Sequence, residues 1–296
     1  MKNESTHRVI CYGEVLWDIL PSGEVPGGAP MNVAYHLHKL SKDPGVITRV
    51  GNDDKGKKLM AIFSSYGVCT DFFQVDNDHE TGIVYALPNE HNEVVYDIVM
   101  PVAWDFIEWK ENYSEVVSNA DFFVFGTLAA RSQVSKQTLL QLLECSKNRI
   151  LDINLRPPHF NRRIVEELLL KADFLKMNIA ELELITGWFS KYTSIDDRIR
   201  SITDKFNIAN IVVTRGGDGS VLYFKGNKYS HDGFKVKVKD TVGSGDAFLA
   251  GLIGKLIDNA SPEDALTFAS ALGGYIATRE GACPDYNMDE VLAFLA

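Results

Sequence analysis

Four cysteines, ten prolines and no long apolar run are what this chain of 296 residues has least of. Cys11, Cys69, Cys145 and Cys283 stand far apart, so none has the short spacing of a zinc or redox motif, and four reduced thiols are expected. No stretch approaches the apolar length of a membrane span. The polar Met1–Arg8 segment and the brief Val9–Tyr12 run after it do not make a signal-peptide core, so the expected compartment is cytoplasmic, with no membrane partner. Positive charge is also scarce: 30 Lys plus Arg against 40 Asp plus Glu leave a net charge of −10. That balance removes the basic field on which non-specific nucleic-acid binding relies and points to a small-molecule or protein partner. Internal repeats, low-complexity tracts and linkers are absent. What remains is 45% apolar, 24% charged and 10% aromatic, an ordinary globular composition with enough length to bury a real core.

Short β-branched runs alternate with helical periods, the pattern of βαβ units and a mostly parallel sheet with helices on both faces. Strands are expected at Arg8–Gly13, Val46–Gly51, Asp121–Gly126, Arg149–Ile153, Phe174–Met177, Ile211–Thr214 and Val221–Phe224. Helices are expected at Pro30–Leu40, Lys55–Tyr66, around Ile164–Leu169, and at Asp246–Leu256, the last apolar nearly all round. One region breaks the alternation. Thr81–Leu87 and Glu93–Met100 flank a polar Pro88–Asn92 turn and read as a hairpin, which together with the extended Trp17–Val25 makes a small separate sheet. Phe234, Val236 and Val238 alternate like a further strand.

Asp240-Thr241-Val242-Gly243-Ser244-Gly245-Asp246 precedes the apolar helix. A Gly-rich turn opening a helix presents the amides of Val242 to Asp246 and the positive end of the helix dipole to an anion. Asp246 then has two readings, an N-cap or a general base facing a terminal phosphate. Gly243-x-Gly245 matches only part of the dinucleotide fingerprint, since Phe248 replaces the third glycine, and no P-loop sequence is present. Earlier, Gly27-Gly28-Ala29-Pro30-Met31-Asn32 reads either as a turn and cap or as a close backbone approach to a polyol held by Asn32. Asp18 is either a solvated loop residue or an acceptor for sugar hydroxyls.

The two glycine-rich segments together resemble the two signatures of the PfkB/ribokinase family of carbohydrate kinases, and the likeness runs over the whole length. Three matches fall between them in order: Asp152-x-Asn154-x-Arg156, Asn178-x-x-Glu181 and Thr214-x-Gly216-x-x-Gly219, each at a strand's carboxyl end.

That resemblance implies a ribokinase-like α/β fold, a Rossmann-like α/β/α sandwich in one domain over residues 1–296. A small β-sheet lid would be inserted from about 14–25 and 81–103. It implies an ATP-dependent transfer of the γ-phosphoryl group to a primary hydroxyl of a small sugar. Asp246 would be the base and the Gly243-Ser244-Gly245 loop the anion hole. Asp18, Gly28, Asn32 and Arg156 would bind substrate. Asn178, Thr214, Gly216, Gly219, Val242, Gly243 and Gly245 would hold ATP, with Glu181 acting on Mg²⁺ through water. K⁺ would lie near Asp240, Val242 and Gly281, with Arg279 and Asp285 nearby. The motif details look most like the fructokinase branch, with ribokinase, 2-keto-3-deoxygluconate kinase, nucleoside kinase, or an idle sugar- or nucleotide-binding regulator as alternatives. Ser244 stands where alanine is more usual, and Trp17 and the Trp104 region are candidates to reshape the sugar pocket. A homodimer through the lid is expected, covering Ile83, Tyr85, Val95 and Ile98.

Overall fold

The computed structural model describes residues 7–21, 23–88 and 94–295. In chain order the strands are β1 (Val9–Tyr12), β2 (Leu16–Leu20), β3 (Gly23–Gly27), β4 (Pro44–Gly51), β5 (Phe73–Asp76), β6 (Gly82–Pro88) and β7 (Val94–Ile98). They continue as β8 (Phe122–Gly126), β9 (Arg149–Asp152), β10 (Phe174–Asn178), β11 (Asn210–Thr214), β12 (Ser220–Phe224) and β13 (Asn227–His231). The helices are α1 (Ala29–Lys39), α2 (Asp54–Ser65), α3 (Glu111–Asn119), α4 (Gln133–Cys145) and α5 (Arg162–Leu169). After them come α6 (Ile179–Gly187), α7 (Ile195–Phe206), α8 (Ser244–Ile257), α9 (Pro262–Ala277) and α10 (Met288–Leu295).

Nine described strands form the main sheet in the order β13-β12-β11-β10-β9-β8-β1-β4-β5. From β11 to β5 every pairing is parallel, and β12 and β13 add an antiparallel edge. Strands buried on both faces read as nearly continuous apolar runs. In β1, Ile10 and Tyr12 enter the core shared with helices α3 to α7, while Val9 and Cys11 face the core built by α1, α2, α8 and α9. This is the three-layer α/β arrangement that the alternating pattern predicted.

The second sheet has the order β3-β2-β6-β7, with β2 parallel to β6 and the outer pairs antiparallel. Residues 89–92 of the expected Pro88–Asn92 turn lie outside the described residues. Within the sheet Tyr85 and Tyr96 are exposed, but Ile98, expected on the open face, is buried in the main core. The alternation at Phe234, Val236 and Val238 does not make a strand, because β13 ends at His231 and residues 232–238 pair with no described strand. Phe234 instead stacks on His231 and packs at a tilt against Phe294. Strands β5 and β13 and helices α3, α4, α6, α7, α9 and α10 go beyond the elements read from the sequence.

Candidate active site

Because β1, β9, β10 and β11 are parallel, the segments after them share one edge of the sheet, where open α/β folds bind ligands. Glu14, Asp152, Asn178 and Thr214 all stand at that edge.

The N-terminal side is shaped by close backbone approach. Gly28 has φ 117, and a Cβ there would overlap the Glu14 carbonyl, so only glycine fits where the chain enters α1. A Cβ on Gly27 would overlap the Asp18 carboxylate, which leans across it from β2. Burial pushes Asp18 up to about 6 while Arg156 pulls against it. Burial also pushes Glu14 up to about 7, opposed by the backbone N–H groups of Glu14 and Ala29 and by Arg156. Arg156 itself is exposed. Trp17 turns away, its Nε1 donating to the Lys55 carbonyl at 3.1 Å, and Trp104 is fully buried, so both indoles are core residues.

Asp246 meets this side directly. Gly243, with φ 73, is the N-cap of α8, so Asp246 is the third helical residue and the N-cap reading fails. Its carboxylate accepts instead from Asn32 Nδ2 at 2.8 Å. Burial raises it to about 6, helped by Asp152 and opposed by Lys176, Asn32 and Arg156. A carboxylate with that value is ionised at neutral pH yet basic enough to take a proton.

The loop's amides are fewer than the sequence implied. Val242 N–H donates to Asp240 Oδ1 at 3.0 Å, and Ser244 N–H makes a turn with the Thr241 carbonyl at 3.3 Å. Among the described residues, the N–H groups of Gly243, Gly245 and Asp246 have no acceptor. Those three are the donors that the loop leaves free at the start of α8. Ser244 Oγ donates to the Gly273 carbonyl on α9 at 2.9 Å, so the serine faces away from the loop.

Farther along the edge, Asn178 caps α6: its Oδ1 accepts from Glu181 N–H at 2.9 Å, and Glu181 Oε2 accepts from Asn178 N–H at 2.8 Å. Glu181 Oε1 accepts from Leu155 N–H at 2.9 Å, tying the β9 loop to this turn. Thr214 ends β11. Gly216 opens onto free space, and Gly219, with φ 87, packs where a Cβ would overlap the His231 carbonyl.

Asp240 draws two loops together, Oδ1 taking Val242 N–H and Oδ2 taking Gly281 N–H at 3.0 Å. The side chain of Asp285 pairs with Lys39 in solvent and that of Arg279 with Tyr275 and Glu290, which leaves only their backbone carbonyls for this junction. Behind it, His36 is enclosed between the Ala282 carbonyl and Tyr286 Oη, both at 3.0 Å. Burial lowers His36 to about 4, which leaves it neutral. The carbonyl can only accept, so Nε2 carries the proton and Nδ1 accepts from the tyrosine.

Sequence reasoning missed Lys176. It sits in β10 opposite Asp152 of β9, Nζ 2.9 and 2.8 Å from the two carboxylate oxygens. The signal was there to read: a lysine inside the apolar strand Phe174–Met177.

The model of the pfkB family of carbohydrate kinases matches residues 21–288. The chain belongs to that family. This kinase is 26% identical over 317 residues to a probable fructokinase-2 of Arabidopsis thaliana, covering 97% of this chain and 95% of that protein. It is 30% identical to a probable chloroplastic fructokinase-6 of the same plant, covering 93% and 79%. A crystal structure of Vibrio cholerae O395 fructokinase in a fructose, ADP and calcium ion bound form superposes with a TM-score of 0.84 at 25% identity, covering 99% and 100%. An Escherichia coli putative ribokinase II in the apo form also gives 0.84, at 19% identity over 97% and 98%, and shares the fold of this kinase. Among the described residues, no helix of this kinase is long and apolar enough to cross a membrane.

Proposed function

We propose that this kinase transfers the γ-phosphoryl group of ATP to a primary hydroxyl of D-fructose. The observation that carries the reading is the Asn32–Asp246 contact at the crevice where Asp18 lies, which joins a hydroxyl-binding pair to a base. Fructokinase relatives over nearly the full length support the choice of sugar.

Asp18, Asn32 and the Gly28 backbone hold the sugar, and Arg156 closes the mouth with a cationic fork. Asp246 Oδ takes the proton of the attacking hydroxyl, and its hydrogen bond from Asn32 fixes the direction of approach. The amides of Gly243, Gly245 and Asp246 receive the charge on the transferring group, the electrostatic contribution that phosphoryl transfer chiefly needs. Thr214, Gly216, Gly219 and Asn178 form the nucleotide side.

Mg²⁺ fits one carboxylate rather than a cage. Among the described residues there is no cluster of three or more His, Cys, Asp or Glu able to hold a metal. Glu181, whose oxygens already accept from the Leu155 and Asn178 N–H groups and whose nearest acidic neighbour is Asp152, would act on the ion through water. A magnesium ion that keeps its waters and rides on the nucleotide needs no more, and it neutralises phosphate charge when bound. The Asp240–Gly281 junction, with Val242, is the corresponding place for K⁺. We assign the second sheet as a lid within one kinase domain. Homodimerisation through its exposed Tyr85 and Tyr96 and a cytoplasmic location complete the reading.

The test is ADP release with ATP, Mg²⁺ and K⁺ across D-fructose, ribose, 2-keto-3-deoxygluconate, adenosine and fructose 6-phosphate. Preference for fructose is the expected outcome. Turnover on another acceptor overturns the sugar while keeping the chemistry, and sugar binding with no ADP release makes the protein an idle regulator.

A further inference from the structure

Lys176 lies between Leu175 and Met177, both fully buried, and is itself only 7% exposed; Asp152 is 4% exposed. Taking both charges out of water is costly, and an apolar pair of similar volume serves stability as well or better. The pair therefore calls for a reason beyond packing. Two of the three N–H bonds of the ammonium are used on the Asp152 oxygens. A third is left over.

Gly245 marks where it faces. The residue has ordinary negative φ within α8, so its backbone does not demand glycine. A Cβ built on it would meet Lys176 Nζ at 3.2 Å and Cε at 3.9 Å, and beyond its chain neighbours and the backbone of its own helix no other atom lies within 4 Å. The missing side chain leaves the ammonium open to the loop whose free amides form the anion hole. Burial alone pulls the Lys176 pKa down, but Asp152 and Asp246 outweigh it and hold it above its ordinary value, so the group keeps its charge.

We propose that Lys176 is a catalytic residue of this kinase, its ammonium contacting the transferring phosphoryl group through the gap that Gly245 leaves in the loop. It donates a hydrogen bond and keeps its proton throughout; the proton of the attacking hydroxyl goes to Asp246. The inference rests on the phosphoryl-transfer reading of this loop and adds a cationic wall to it.

Lys176→Met alone strands a buried Asp152 carboxylate, so the deciding variant is Lys176→Met/Asp152→Asn, which removes both charges together. Gly245→Ala, which puts a methyl group against Nζ, is the companion. Three quantities are read on the full-length protein: kcat with the best acceptor, the Kd of that acceptor, and nucleotide binding with and without tetrafluoroaluminate, which mimics the phosphoryl group in flight. In the double variant kcat should fall about 10²–10³-fold, as for loss of one preorganised donor, with acceptor and ADP binding within about 3-fold of wild type. The tightening of ADP by tetrafluoroaluminate should shrink by a similar factor, and Gly245→Ala should move in the same direction. Wild-type kcat in the double variant makes the pair purely structural and overturns the proposal. So does a slow variant that keeps the full tetrafluoroaluminate effect, which would place the action of Lys176 on Asp246 instead. The tetrafluoroaluminate comparison needs no turnover. A wild type that releases no ADP from any acceptor therefore sinks the phosphoryl-transfer reading separately, while Lys176 is still judged.

Discussion

Asn32 Nδ2 donates to Asp246 Oδ2 at 2.8 Å, and Cys283 Sγ donates to Asn32 Oδ1 at 3.4 Å, so one amide side chain links α1 to α8 and to the loop before α10. An amide donor on one carboxylate oxygen leaves the other oxygen of Asp246 for the proton transfer proposed above.

Asp246→Asn keeps the size of the side chain and removes the base. Turnover should fall by about 10²–10⁴-fold with sugar affinity little changed, read by ADP release alongside calorimetric titration of the sugar. Turnover close to wild type would remove Asp246 from the chemistry.

As the proposed base, the same carboxylate should set the acid limb of activity, together with Asp18, which burial also holds at about 6. With burial holding Asp246 at about 6, kcat/KM should decline at least tenfold per unit as pH falls below that value. A profile flat down to pH 5 would contradict the assignment.

Two buried groups bias stability against pH in opposite directions. Glu14 is raised from 4.5 to about 7, so the folded state binds more protons there and stability is lost as pH rises through about 7. His36 is lowered from 6.5 to about 4, so stability grows with pH across that interval and is lost as pH falls toward 4. The slopes partly cancel in the wild type. Glu14→Gln should therefore make stability rise more steeply with pH, by about 3 kcal/mol over the interval, and His36→Gln should tilt it the other way. Urea midpoints measured at pH 5, 6, 7 and 8 decide it.

Arg131 and Asp105 form a buried pair, Nε–Oδ1 2.7 Å and Nη2–Oδ2 2.8 Å, at side-chain exposures of 2% and 1%. Arg131 Nη2 also donates to the Val99 carbonyl at 2.7 Å, just beyond β7, and its guanidinium lies 3.8 Å over the Trp104 ring. Arg131→Met should cost about 3–5 kcal/mol by leaving Asp105 unpaired, and adding Asp105→Asn should recover much of it. Denaturant unfolding of both variants is the measurement.

Ser244→Ala removes only a hydroxyl bonded to Gly273, so it should cost about 1 kcal/mol and leave turnover within a few-fold. A large loss of kcat would mean the hydroxyl reaches the substrate.

The parts of this architecture written in short-range chemistry were readable in the chain. Apolar β-branched runs marked β1 and β11 and an aromatic run marked β8, and Gly28 and Gly243 stand where positive φ requires them. Long-range partnership was less legible. Nothing near Gly281 reveals that Asp240, 41 positions earlier, takes its N–H, and Ile98 looks exposable until β7 is laid against the body of the molecule. The Phe234–Val238 alternation failed because period two describes a strand only where a neighbour pairs with it. Lys176 was overlooked because its counter-charge lies on another strand, 24 residues away.

The Asn32–Asp246 contact also has a clock in it. The two residues are 214 positions apart, which at roughly 5–20 residues per second of ribosomal synthesis separates their emergence by about 10–40 s. Through that interval the half-made protein holds the Asn32 amide with no carboxylate to meet it, and β1, which ends up inside the sheet between β8 and β4, waits for β8 before both its edges are closed. A nascent chain halted short of α8 can thus carry much of the fold and none of the reaction.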